Sequence, residues 1–133
     1  MKYMFSIFSE EGGVEDASPE DIKAGMAAWE AFGLEARGAG VLVAGDGLQD
    51  SSTATTVRIE PSDERIVSDG PFAETKEQLA GFYLLDCDNL DEALAWAQKI
   101  PMAGGAIEVR PVMEYEAVGS YETLRSSEVS RTA

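Results

Sequence analysis

The 133-residue sequence contains no histidine and a single cysteine, Cys87. Each scarcity removes a class of chemistry. With one cysteine no intrachain disulfide can form, which fits a reducing compartment and predicts a cytoplasmic protein. With no histidine, and with Cys87 inside an apolar run, a zinc site would need an all-carboxylate shell, so no metal is expected. Basic residues are few as well: ten Lys and Arg face 25 Asp and Glu, a formal charge of −15. They are scattered from Lys2 to Arg131 and leave no footprint for a phosphate backbone, so no nucleic-acid partner is expected. The acidity itself reads as solubility and self-repulsion. No apolar run approaches the ~20 residues that span a bilayer, so no membrane partner is expected either. The opening MKYMFSIF has no small-residue cleavage site before SEEGGVED and reads as a first strand, not a secretory signal. The glycines of GAGVLVAGDG open a strand where a dinucleotide site would open a helix, and no cofactor is expected.

What is present suits one globular domain, with 44% hydrophobic residues in a chain long enough for a single core. Residues 2–8 are nearly continuously apolar, as in a strand covered on both faces. Ser18, Pro19 and Asp21 make a helix start with a capping box. Ile22, Met26, Trp29 and Gly33 then recur at helical spacing, with Phe32 and Ala36 beside them, until Gly38. A short strand follows at 40–45. Two Thr- and Val-rich segments, 53–60 and 65–69, flank the turn PSDE and predict a hairpin. GFYLLDCD (81–88) is the next strand. Asn89 and Glu92 start a second helix, with Leu90, Ala93, Leu94 and Ala97 as its apolar stripe and Pro101 as its stop. AIEVRPVME (106–114) alternates as a last strand. Residues 1–117 therefore form the domain, and 118–133, rich in Ser, Thr and charge, are expected to be a mobile tail.

The order strand-helix-strand, hairpin, strand-helix-strand predicts an α+β fold: a ferredoxin-like split βαβ repeat with an inserted hairpin and both helices on one sheet face. That layout leaves the opposite face bare. Tyr3, Phe5 and Ile7 or their alternates, with Phe82 or Tyr83, need a cover, and a second copy is the simplest one. The prediction is a homodimer, a dimeric α/β barrel-like assembly.

The most distinctive run is SDGPFAETKEQLAGFYLLD, Ser68–Asp86. Asp69-Gly70 and Pro71 explain a turn locally, and Phe72 would plug the core. The competing reading aims Asp69 into a cleft near Arg58 or Lys76, where a cation would keep it ionised and its absence would make it a general acid or base. Glu74, Lys76 and Glu77 pair carboxylates with an ammonium, a set that suits proton transfer or cation binding. The plainer alternative is a solvated helical turn starting at Thr75. Arg58 lies between Val57 and Ile59 and faces opposite to them, toward solvent or toward a bound anion. Arg110 has the same two options. Trp29 belongs to the core or lines the cleft. The candidate catalytic residues are Asp69, Lys76 and Glu77; Arg58, Phe72, Glu74 and Trp29 complete the candidate ligand-binding set.

That run, together with MKYMFSIF, GVLVAGDGL, TATTVR and AIEVRPVME, resembles the YCII-related family over residues 1–115, specifically its DGPF-containing branch. The resemblance implies ferredoxin-like dimers with a cleft between the sheet and the dimer partner, and makes Asp69, Gly70, Pro71, Phe72, Glu74, Lys76 and Glu77 the branch signature. Some family members pair a His of the first helix with an Asp ahead of the last strand for acid-base chemistry, one of them a dehydrochlorinase acting on a chlorinated hydroquinone. Here Met26–Glu30 holds no His and Ile100-Pro101 stands where that Asp would be, so the dyad does not carry over. The branch is frequently encoded beside extracytoplasmic-function sigma factors, which implies a regulatory role. Two readings follow. The favoured one is a homodimer that binds a small molecule or a sigma-factor partner. The alternative is an acid-base enzyme, lyase- or isomerase-like, acting on a small cyclic or aromatic substrate.

Overall fold

A computed structural model describes residues 1–12 and 16–114; the expected tail at 118–133 and the domain boundary at 117 lie outside them. The elements are β1 (Lys2–Glu10), α1 (Pro19–Gly38), β2 (Leu42–Gly47), a 3-10 turn at Ser51–Thr53, β3 (Thr55–Ile59), β4 (Arg65–Asp69), β5 (Glu77–Asp86), α2 (Leu90–Lys99) and β6 (Ala106–Pro111). β2, β5, β1 and β6 form one sheet in that order, and β3 pairs with β4 as a separate hairpin. Every pairing is antiparallel. α1 carries the chain from β1 past β5 to β2, and α2 carries it from β5 past β1 to β6. The result is α+β, compatible with a ferredoxin-like fold.

Local chemistry sets the helix ends. Ser18 Oγ accepts from the Asp21 amide at 3.1 Å, with Pro19 in the first turn. Asn89 Oδ1 accepts from the Glu92 amide at 2.9 Å, and the Glu92 carboxylate accepts in return from Asp88, one residue before the cap. The helices then dock on one face of the sheet. Tyr3, Phe5 and Leu85 from the strands meet Phe32 and Ala36 of α1 and Ala93 of α2, all buried.

The structure changes several expectations. Neither helix buries the whole of its expected stripe: Ile22 and Met26 of α1 are exposed, as are Leu90 and Leu94 of α2, while Trp96 packs against the core instead. Helical spacing defines a face, but only the neighbour decides how much of it is covered. β1 is covered on one face, not two. Tyr3, Phe5 and Ile7 point under the helices, and Met4 on the opposite face is 36% exposed. β5 begins at Glu77, four residues before the predicted start and with no helical turn ahead of it. Thr75 Oγ1 donates to the Glu77 carbonyl at 2.6 Å, and the Gln78 amide donates to the carbonyls of Ala73 and Thr75. These side-chain bonds satisfy the bend that a helix start would otherwise have satisfied.

Cys87 is 2% exposed, and its amide donates to the Met1 carbonyl at 2.9 Å. Burial pushes its thiol pKa up, helped by the carboxylates of Glu92 and Asp86. Its stabilising neutral form is fully present below the unfolded thiol pKa and is lost as pH rises through the higher folded value. Cys87 should react with a disulfide reagent at mildly alkaline pH orders of magnitude more slowly in the native protein than in urea. Comparable rates in the two states would contradict this burial.

Candidate functional site

A cleft of about 1120 Å³ lies on the helix-covered side, where one end of the sheet meets α1 and the loop between α2 and β6. Its floor follows from side-chain alternation. Phe5 pairs with Tyr83 and Ile7 with Gly81 across β1 and β5, so all four share the face beneath the helices. Trp29 lies one turn before buried Phe32 on α1 and stacks on Tyr83, ring centres 6.3 Å apart and planes 21° from parallel. Phe32 braces the same tyrosine at 5.0 Å. Such aromatic pairs contribute about 0.5–1.5 kcal/mol beyond area burial. Tyr83 also lies against Gly45 of β2, where any β-carbon would collide with the ring. Half-burial raises the Tyr83 phenol pKa and keeps it neutral at physiological pH.

The mouth is acidic. Glu10 ends β1 and Glu11 follows it, Asp46 is the penultimate residue of β2, Glu77 begins β5, and all four line the cleft. Glu10 and Glu77 are direct cross-strand partners, a placement that repels like charges. Lys76 relieves it, with Nζ 3.0 Å from Glu10 Oε1. Glu11 accepts from both the amide and the hydroxyl of Ser51, at 2.8 and 2.7 Å, and so ties the end of β1 to the 3-10 turn. Hydrogen bonds from Ser52 hold the carboxyl of neighbouring Asp50 below the usual carboxylate range.

Of the residues singled out by sequence, Trp29 and Glu77 line this cleft and Lys76 reaches its edge through Glu10. The others lie on the hairpin and the bend after it. Arg58 stands over the Phe72 ring at 5.3 Å, and Phe72, expected in the core, is 74% exposed. It fails to plug the core because the hairpin does not join the main sheet. Asp69 and Glu74 are exposed, and neither lines the cleft. The turn is held at the Gly70 backbone: its amide, at φ +101°, donates to the Ala54 carbonyl, and the Thr56 Oγ1 hydroxyl donates to its carbonyl, each at 2.8 Å. Arg110 pairs with Glu108 at 2.6 Å on the opposite sheet face. The sequence reading missed Tyr83 as a floor residue, and Asp46, Met102 and Gly105 altogether. What unites them is strand pairing and the end of a loop, neither of which leaves a local motif.

Fold and cleft together define a small α+β domain with an open, aromatic-floored recess at one end of its sheet. The YCII-related domain family matches residues 1–116, and the chain belongs to that family. It is also similar to a Rhizobium meliloti (strain 1021) protein called Uncharacterized protein R00369, with 51% identity over 72 residues. That match covers 52% of this chain and 57% of the relative, so it spans little more than half of either.

Proposed function

We propose that the chain is a small-ligand-binding homodimer of the DGPF-containing branch, with the cleft as its binding site. The cleft is the observation that carries the reading: about 1120 Å³ of recess with a rigid aromatic floor, a form typical of small-molecule sites. Binding is favoured over acid-base catalysis because the proposed catalytic group does not converge. Lys76 is 85% exposed and spends its charge on Glu10, and Asp69 stands on the hairpin. The regulatory role beside a sigma factor rests on the branch resemblance.

An amide NMR screen of small aromatic fragments tests the site. Perturbed amides should cluster at Trp29, Gly45, Tyr83 and Gly105, and Trp29→Ala should weaken the best fragment about tenfold or more. Shifts scattered over the surface would sink the reading.

Dimerisation is argued from two uncovered apolar surfaces. The hairpin's Val57, Ile59 and Val67 share one face and are 55%, 60% and 67% exposed. A lone two-stranded hairpin is marginal in water and needs such a face covered. The sheet face away from the helices carries Met4 of β1 paired with Leu84 of β5, and Phe82 opposite Ser6. A twofold axis covers both surfaces with one kind of contact. Light scattering at micromolar concentration should return twice the chain mass, and Val57→Asp with Val67→Asp should return the mass of one chain. A wild-type monomer would refute the assembly.

A further inference from the structure

The strand register decides which polar groups the recess offers a ligand. Asp46 is paired with Phe82 and Glu10 with Glu77, so these three carboxylates stand on the sheet face away from the helices. They reach the cleft only at its rim, and Glu11 beside them is committed to Ser51. Among the described residues no Lys or Arg lines the cleft. On the helix side its wall is therefore neutral. Ser9 continues the alternation of Phe5 and Ile7 along β1, and with Tyr83 and Trp29 it brings two hydroxyls and an indole N–H to the lining. These three groups make no hydrogen bond to another described residue, yet none is an unsatisfied atom sealed in the interior, so they open on the recess. Half-burial keeps the Tyr83 phenol protonated and able to donate. All three groups can donate, and the indole can only donate. A cation would find donor hydrogens in place of a counterion. An anion would have to pass the carboxylate rim of a chain with formal charge −15.

We infer that the cleft takes an uncharged, flat ring compound bearing a carbonyl oxygen, in class an aromatic ketone or amide. This inference rests on the ligand-binding reading above. The ring packs against the Trp29–Tyr83 pair. The carbonyl oxygen accepts from the hydroxyls of Tyr83 and Ser9, which have no other acceptor among the described residues. A neutral acceptor is the one partner that answers these donors without bringing a charge that the wall cannot match.

Amide NMR titration of the full chain with four probes of similar shape tests this: acetophenone, α-methylstyrene, benzoate and benzylammonium. Benzoate and benzylammonium should bind at least about tenfold more weakly than acetophenone, because neither charge finds a counterion on the wall. α-Methylstyrene keeps the acetophenone skeleton and puts a methylene where the oxygen was. Tyr83→Phe with Ser9→Ala keeps both rings of the pair and removes both hydroxyls. In that variant the ratio of acetophenone to α-methylstyrene affinity should fall about three- to tenfold, the worth of a neutral hydrogen bond. A charged probe that binds as tightly as acetophenone overturns the ligand class while leaving the binding site standing. So does an affinity ratio that the double variant fails to change. Failure of all four probes to shift the amides of Trp29, Gly45, Tyr83 and Gly105 would remove the ligand-binding reading itself, and this inference with it.

Discussion

Phe5→Ala is expected to remove about 3–5 kcal/mol of folding stability, the range for a large aromatic side chain deleted from a packed core. Phe5 is fully buried, and it lies on β1 between Tyr83 of β5 and Val109 of β6. Phe32, Ala36 and Ala93 belong to the same cluster on the helix side. The hole would therefore open where both helices bear on the sheet, with backbone on either side that cannot close in. Against a usual total of about 5–15 kcal/mol, the variant keeps a fraction of the native margin. Urea denaturation followed by circular dichroism measures it, and a loss below about 1 kcal/mol would mean that the core is centred elsewhere. Met4→Ala is the matched control on the opposite face. Under the proposed dimer its cost should depend on protein concentration, because a second chain would then cover that face.

Gly105→Ala is expected to cost about 2–5 kcal/mol, combining backbone strain with forced overpacking. Gly105 has φ +99°, which L side chains rarely adopt, and an added β-carbon would collide with the Phe8 carbonyl oxygen and approach Met102 Cε to 2.9 Å. That carbonyl is part of the β1–β6 ladder, whose last pair is Phe8 and Ala106. Relief of the clash would have to come from the ladder itself. Neighbouring Gly104 also has positive φ, +136°, but a β-carbon there meets nothing. Gly104→Ala should therefore carry the strain alone, and the difference between the two variants isolates the collision. Equal losses would show that the close approach to Phe8 has no weight.

Chain-local chemistry was readable in advance, and through-space chemistry was not. Ser18 with Pro19, and Asn89 with Glu92, announce helix starts because a cap is made by residues a few positions apart. The hairpin was equally plain, with its PSDE turn and Thr-Val strands. The start of β5 was hidden because Glu77 and Gln78 are polar residues at a strand end, where they face the cleft mouth and the bend. Burial along α1 went astray for a related reason: Met26 lies on the same helical stripe as Trp29, yet only Trp29 finds a tyrosine beneath it. At the site, Trp29 and Glu77 stood out by residue type. Asp46 and Tyr83 did not, because register shifts at Ile7/Phe8 and Leu42/Ala44 help set where those strands bring their side chains.

The hairpin departs from the chain between β2 and β5, two strands that already pair with each other, and the Leu48 amide extends their ladder to the Ala80 carbonyl at 2.8 Å. The hairpin between those two points is thus a side branch on a closed frame, tied to it where Ser51 meets Glu11 and where Glu77–Leu79 pair with β1. Relatives could trade whole hairpins across this junction, or lose them to a tight turn, without disturbing the floor of the recess. If the proposed partner contact lies on the hairpin and the proposed ligand site in the recess, the two would evolve on separate clocks, and a hairpin graft between two family members should transfer the first while leaving the second where it was.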